Sequence, residues 1–380
     1  MSPETTVSGT VAPGFEPVLD AFTELFAAGR ETGAAFAAHV DGERVVDLWG
    51  GVADDRTGAA WTGDTVCVMF SGTKGVVALA LLMLVDRGLL DLDAKVTQYW
   101  PEFGAAGKEH ITVSMLAAHA GGLPGVELPD AIVDLGDQEH IASLLAAQAS
   151  MVPAGRPSYH AMTYGWLCAE LVRRTDGRSI GRFVADEIAT PMGLDLRIGM
   201  SSSDPLASRV AHLRASPDYQ LSAFLVPDPD PRLSNVYGLV RTSMSGYDDP
   251  AILAIELPAA NGVASARAMA SLYGRLSQHG GGLVSPEALQ HGLKEASAGD
   301  DPLSGRQLRF GATGFELNPN PSALGPPPDA FGHTGAGGSS HGAWRSLHTG
   351  FSYSTCLLRP ENADGRARIL LRSLHGVVDG

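Results

Sequence analysis

The first clear pattern along the chain is helical. Phe15, Val18, Leu19, Phe22, Leu25 and Phe26 recur at spacings of three and four, which predicts an amphipathic helix over residues 15–30. Two short apolar runs follow, 34–40 and 43–49, joined at Asp41-Gly42; an Asp-Gly pair between such runs predicts a hairpin. The run Val66–Phe70 leads into Ser71, and from 72 to 90 apolar residues cover nearly every face, so that helix is predicted to be buried. Further helical stretches are predicted over 112–118, 165–174, 180–188 and 264–278, with a turn at His119-Ala-Gly-Gly-Leu-Pro124. Residues 200–250 are rich in Ser, Pro and Asp and are expected to be irregular, facing substrate. Pro319, Pro321 and Pro326 to Pro328 mark a loop, after which 331–333, 342–347 and 351–358 read as strands and 366–377 as a closing helix. The chain has no internal repeat. Strands towards both ends with helices between them predict a sheet domain from 1–85 and 305–380 and a mostly helical insertion from 86–304.

Composition narrows the function. The net charge of −15 argues against nucleic acid, which needs clustered cations, and against an anionic membrane surface. The apolar run Gly75–Val85 is too short to span a bilayer and ends in Asp86-Arg87. The N-terminal stretch has no basic region followed by an apolar one, so no secretory signal is expected. Cys67, Cys168 and Cys356 are isolated and fit neither a disulfide framework nor a C-x-x-C metal pattern, which points to a reducing cytoplasm. The twelve histidines show no H-E-x-x-H or clustered spacing; no metal and no cofactor are expected.

Lysine is rare: of 27 basic residues only Lys74, Lys95, Lys108 and Lys294 are lysine. Arginine stays charged in proteins, whereas a buried lysine can lose its proton. Lys74 lies three residues after Ser71 at the head of the most apolar run, so both side chains share one helix face. A neutral Lys74 could take the Ser71 hydroxyl proton. The same pair also fits an ordinary helix cap beside a snorkelling lysine. Tyr159 lies in a loop before a helix, and a phenol near a lysine can act as base and then acid. Gly332-His333-Thr334-Gly335-Ala336 would let substrate approach the backbone closely. A free N–H there, with that of Ser71, would make an oxyanion hole.

In that order, Ser71-Gly-Thr-Lys74, Tyr159-His160-Ala161 and His333-Thr334-Gly335 resemble the S-x-x-K, Y-x-N and K-T-G motifs of the serine β-lactamase and penicillin-binding protein superfamily. Within it the chain is most similar to the family VIII carboxylesterases. The resemblance implies an α/β fold of the α+β type: an antiparallel sheet flanked by helices, plus an all-helical domain, β-lactamase/transpeptidase-like. It implies Ser71 as the acylated nucleophile, Lys74 and Tyr159 as the shared general base, and the N–H groups of Ser71 and Ala336 as the oxyanion hole. His333, Thr334, Gly335 and His160 are the implied substrate contacts. Two departures favour simple esters over lactams or cell-wall peptides: Ala161 lacks the Asn amide, and His333 replaces a permanent cation. The expected activity is a serine carboxylesterase acting on short-to-medium acyl esters. Acyl transfer from the same intermediate, amidase, D-aminopeptidase or weak β-lactamase activity, and a non-catalytic binding role remain alternatives.

One competing motif is present. Gly338-Ser-Ser340-His-Gly342 matches the G-x-S-x-G nucleophile elbow, with Asp364 and His375 following in triad order. The elbow needs a strand–turn–helix setting in a doubly wound sheet, and the residues after Ser340 read as strand.

Overall fold

The strand β1 (Val7–Val11) lies against the second arm of a long hairpin, β2 (Gly33–Val40) and β3 (Glu43–Asp54). The hairpin turns at Asp41-Gly42, both left-handed at φ 48° and 87°, the geometry such a two-residue turn demands. Six further strands extend the sheet, β4 (Glu295–Asp300), β5 (Gln307–Gly311), β6 (Glu316–Leu317), β7 (Ala330–Thr334), β8 (Ser340–Trp344) and β9 (Thr349–Thr355), and the two-residue strand Ala59–Ala60 pairs with the end of β3. The order across the sheet is β1-β3-β2-β9-β8-β7-β6-β5-β4, antiparallel throughout. The sheet is thus made from both ends of the chain, joined where β2 pairs with β9 from Ala34↔Thr355 to Val40↔Thr349. This computed structural model describes residues 7–127, 134–219, 230–237, 246–318, 323–360 and 364–380.

The two faces of the sheet follow the period-two alternation of its strands. Ala34, Phe36 and Ala38 point to one side, where they pack with Val18, Phe22 and Leu25 of α1 (Glu16–Ala27) and with Leu370, Leu371 and Leu374 of the closing helix Arg366–Val378. Ala35 and Ala37 face the other way, into the larger core. The helix Ala266–Ser277 lies on that side, and Gly274 and Gly350 permit the closeness: a Cβ on Gly350 would stand 2.0 Å from the Gly274 nitrogen. α2 (Gly72–Asp86) runs through this core, with Gly72 to Leu84 all buried, as its unbroken apolar pattern predicts. Helices Val113–Ala117, Gln138–Ala147, Thr163–Asp176 and Ile180–Val184 form the helical side.

Four strands of this order, β1, β4, β5 and β6, have no counterpart in the sequence expectation, because they are short and carry little apolar alternation of their own. The β4 sequence Glu-Ala-Ser-Ala-Gly-Asp exposes every side except that of Ser297. Both β4 and the helix Ala266–Ser277 lie inside 86–304 and pack with the sheet, so a division at 304 would separate β4 from its partner β5. The stretch 200–250 includes short elements such as Ala207–Arg209, Arg214–Ala215 and Leu233–Tyr237; residues 220–229 and 238–245, and 319–322 of the Pro-rich loop, lie outside the described residues.

Candidate active site

Ser71 stands at the N-cap of α2, half-buried, directly after Phe70 in the left-handed region at φ 48°. For a bulky residue that conformation costs on the order of 1–3 kcal/mol. The Phe70 ring is held by packing against Tyr247, centroids 5.6 Å apart. The kink turns Ser71 out at the mouth of the helix while Lys74, one turn on, is fully buried. Lys74 Nζ donates to Ser71 Oγ at 3.0 Å and to the Ala259 carbonyl at 2.9 Å. The loop carrying Ala259 is shaped by Asn261, whose amide donates to the Ile252 and Ile255 carbonyls and whose oxygen accepts from Leu257 N–H.

Tyr159 arrives from the other side. Its hydroxyl donates to Ser71 Oγ at 2.9 Å, so the serine oxygen accepts from two donors. Burial pushes the Tyr159 phenol well above its ordinary value, with the Ser71 hydrogen bond acting in the opposite sense. The ring lies between charges and aromatics: Lys74 Nζ is 5.0 Å and Arg306 Cζ 5.5 Å from its centroid, and Phe310 stacks on it at 6.2 Å. The loop before Tyr159 is pinned by Asp301, which accepts from Ser158 Oγ at 2.9 Å, from Ser304 Oγ at 2.7 Å and from Tyr159 N–H at 3.4 Å. No sequence signal marks Asp301; it is one acid in a polar loop, and only the tertiary contact gives it a role.

The third side is the end of β7 and the turn Ala336–Gly338. Gly335 rests on the chain leading to Ser71, since an added Cβ would lie 2.3 Å from the Met69 carbonyl oxygen. Neither Ser71 N–H nor Ala336 N–H has a hydrogen-bond partner among the described residues. His333 is buried, and burial together with the Lys74 charge pushes it down to about 3. Its Nδ1 donates to the Thr334 carbonyl at 2.7 Å, which leaves Nε2 as a lone-pair acceptor. Thr334 donates through N–H and hydroxyl, each at 2.8 Å, to the buried carboxyl of Glu316. Burial raises Glu316 above the usual carboxylate range.

A polar Ser71–Lys74–Tyr159 cluster beside two unengaged N–H groups can activate a hydroxyl and receive an oxyanion. The beta-lactamase family model matches residues 18–369. The chain belongs to the beta-lactamase family. It is 34% identical over 360 residues to the esterase/beta-lactamase LipL of Mycobacterium tuberculosis, covering 92% of this chain and 82% of that one. A family VIII carboxylesterase structure superposes with a TM-score of 0.89 at 33% identity, covering 98% of this chain and 100% of that one. A penicillin-binding protein homologue from Caulobacter crescentus gives 0.87 at 34% identity, with coverage of 98% and 100%. This member of the beta-lactamase family is a serine hydrolase.

His160 stands apart from the other expected site residues of this beta-lactamase family chain. Its ring is fully buried, Nδ1 donating to the Ser158 carbonyl at 2.6 Å and Nε2 accepting from Leu123 N–H at 3.1 Å. Both nitrogens are thus spent on backbone, and the ring staples the Tyr159 loop to the 119–124 turn instead of facing substrate. His119, at φ 61°, packs beneath it: Nδ1 accepts from His160 N–H at 3.0 Å, and the ring lies 5.0 Å from Tyr159 and 4.2 Å from Phe310. Ala161 is buried and offers no amide. The G-x-S-x-G match is incidental to this geometry. Ser340 begins β8 and is buried, Asp364 is paired with Arg366 at 2.6 Å, and His375 lies against Trp344 and Asp379. A strand in place of the strand–turn–helix elbow removes that reading. Among the described residues no cluster of His, Cys, Asp and Glu could hold a metal ion, and no helix is long and apolar enough to cross a membrane.

Proposed function

We propose that this serine hydrolase is a carboxylesterase that cleaves short-to-medium acyl esters through an acyl-enzyme on Ser71. The observation that carries the reading is Ser71 Oγ held at once by Lys74 at 3.0 Å and Tyr159 at 2.9 Å. Burial disfavours the Tyr159 phenolate, so the phenol is the proton donor of the resting site; in the reacting form Lys74, its ammonium proton shed, turns its lone pair to the Ser71 hydroxyl and takes that proton. Ser71 Oγ attacks the ester carbonyl, and the oxyanion is received by the N–H groups of Ser71 and Ala336. As the C–O bond breaks, Tyr159 gives its proton to the departing alkoxide and Lys74 returns one to Tyr159. Water then attacks the acyl carbon, its proton passing to the same pair, and Ser71 recovers its own proton as the acid leaves.

Esters are favoured over lactams by what surrounds the serine. His333, pushed down to about 3, supplies no cation for a substrate carboxylate at neutral pH, and Ala161 supplies no amide. LipL carries both esterase and beta-lactamase in its name, which makes weak lactam turnover the second reading. The decisive experiment compares p-nitrophenyl butyrate hydrolysis by the wild type, Ser71→Ala and Ser340→Ala, with nitrocefin run alongside. Loss in Ser71→Ala alone, with ester turnover well above nitrocefin turnover, is the expected result. Activity surviving in Ser71→Ala would sink it. Three free, buried cysteines support a reducing, cytoplasmic setting as part of the same proposal.

A further inference from the structure

A fully buried arginine lies beneath the turn that carries Ala336. Arg366, at the start of the closing helix, donates through Nη1 to Glu31 at 2.8 Å and through Nη2 to Asp364 at 2.6 Å. The same Nη2 donates to two carbonyls, those of Gly337 and Leu357, both at 2.9 Å. Tyr353 donates its hydroxyl to Glu31. A buried ion cluster is a poor way to gain stability, because desolvation offsets the attraction. What it holds in place is therefore informative.

The Gly337 carbonyl and the Gly338 N–H belong to one planar trans peptide and point in opposite directions. Arg366 holds the carbonyl, and the N–H donates to the Gly335 carbonyl at 3.2 Å. The Gly335 carbonyl in turn shares a peptide plane with the Ala336 N–H, so fixing the first aims the second away from the turn. Two peptide planes thus link the guanidinium to the unengaged N–H. Gly337 and Gly338 are left-handed at φ 81° and 113°, and a Cβ on Gly338 would stand 2.0 Å from Asp364 Oδ2. The turn accordingly sits directly on the ion cluster.

We propose that Arg366, held by Glu31 and Asp364, is a positioning residue for the oxyanion-binding N–H of Ala336. This rests on the reading of Ser71 and Ala336 given above. The guanidinium fork reaches both carboxylates and both carbonyls at once, which a single ammonium cannot do.

The test uses the full chain as Arg366→Lys and Asp364→Asn. Glu170→Gln serves as a control that breaks another ion cluster, the one buried Glu170 forms with the partly exposed Arg173 and Arg174 on the helical side. Four quantities are read: kcat and KM on p-nitrophenyl butyrate, the inhibition constant of butylboronic acid, and the melting temperature. The boronic acid forms a tetrahedral adduct with the serine and places an oxygen in the hole. Arg366→Lys should lower kcat by about 10- to 100-fold and weaken the boronic acid by a similar factor, with KM changed less than about three-fold. Asp364→Asn should move both in the same direction by less, and Glu170→Gln should melt earlier with kcat kept. The proposal fails if folded Arg366→Lys keeps the wild-type kcat, or if Glu170→Gln loses kcat as steeply. Should Arg366→Lys not fold, Asp364→Asn decides by the same criteria. Hydrolysis surviving in Ser71→Ala would show that the catalytic reading itself had failed, and this proposal with it.

Discussion

Tyr159 combines a raised phenol pKa with a hydrogen bond given to Ser71 Oγ, and that pairing makes its hydroxyl a donor first. Tyr159→Phe keeps the ring and its stacking on Phe310 but removes the proton that meets the departing alkoxide. Its kcat on p-nitrophenyl butyrate should fall by about 10²- to 10⁴-fold with little change in fold, as read by kinetics beside circular dichroism. His333 makes the opposite case. It is neutral down to about 3, so it contributes no titration to the working pH range. His333→Gln should leave the acid limb of the pH–kcat profile where it is, even if the rate drops; a limb that moves would mean the imidazole titrates with the reaction. Ser71, Lys74 and Tyr159, the proposed nucleophile and its base pair, could be picked out in the sequence through three short motifs in an order that resembles the family's, and the fold brings their side chains within hydrogen-bond distance. The roles of His160 and Asp301 could not. His160 adjoins Tyr159 and resembles a substrate contact, but its ring is used up by the Ser158 carbonyl and the Leu123 N–H, which no spacing rule reveals.

Elements depend on close approaches that only glycine allows. Gly75 sits on α2 just after Lys74, and an added Cβ would lie 2.1 Å from the Tyr273 hydroxyl oxygen on the helix Ala266–Ser277. Elsewhere in a helix, Gly→Ala stabilises by roughly 0.5–1 kcal/mol. Here it should instead destabilise by about 1–3 kcal/mol through overpacking. The Tyr273 hydroxyl is buried without a partner among the described residues, so Tyr273→Phe should be neutral or stabilising and should relieve Gly75→Ala. Urea melts of the two single variants and the double variant would measure the coupling; simple additivity would count against this contact. The Asp301 clamp is a second element-level device. Asp301→Ala releases Ser158 and Ser304 together, and should cost both stability and kcat, because Tyr159 is the next residue on the loop. Hairpin and helices with full apolar periodicity were legible in the sequence. β1 and β4 were not, since a mostly exposed strand such as Val7–Val11 gains its structure from its partner β3 and carries no apolar alternation of its own.

Four of the twelve histidines, His119, His160, His333 and His341, are buried. Burial pushes His333 and His341 down to about 3 and His160 to about 4, and holds His119 well below its ordinary 6.5. In the unfolded chain each regains a proton as pH falls through 6.5, while in the folded chain it stays neutral until much lower pH. The unfolded state therefore binds more protons between these limits, and stability is full above 6.5 and lost progressively on acidification below it. Each such group weakens the fold by on the order of 1 kcal/mol per pH unit in that window. Urea midpoints should accordingly drop steeply between pH 7 and pH 5, before most carboxylates titrate; a flat midpoint there would contradict the burial of these rings.

The pairing of β2 with β9 has a consequence for how the chain is made. Val40 and Thr349 are neighbours in the sheet but stand some three hundred residues apart, so β2 emerges from the ribosome long before its partner exists. At about 5–20 residues per second, synthesis leaves β2 waiting for roughly 15–60 s. During that interval α1 has only half of its sheet to cover, and the apolar helix behind Ser71 lacks the β7 floor beside which it comes to lie. Nascent chains stalled before residue 349 should be protease-sensitive and bound by chaperones, and protection should appear only once the last strands have cleared the exit tunnel.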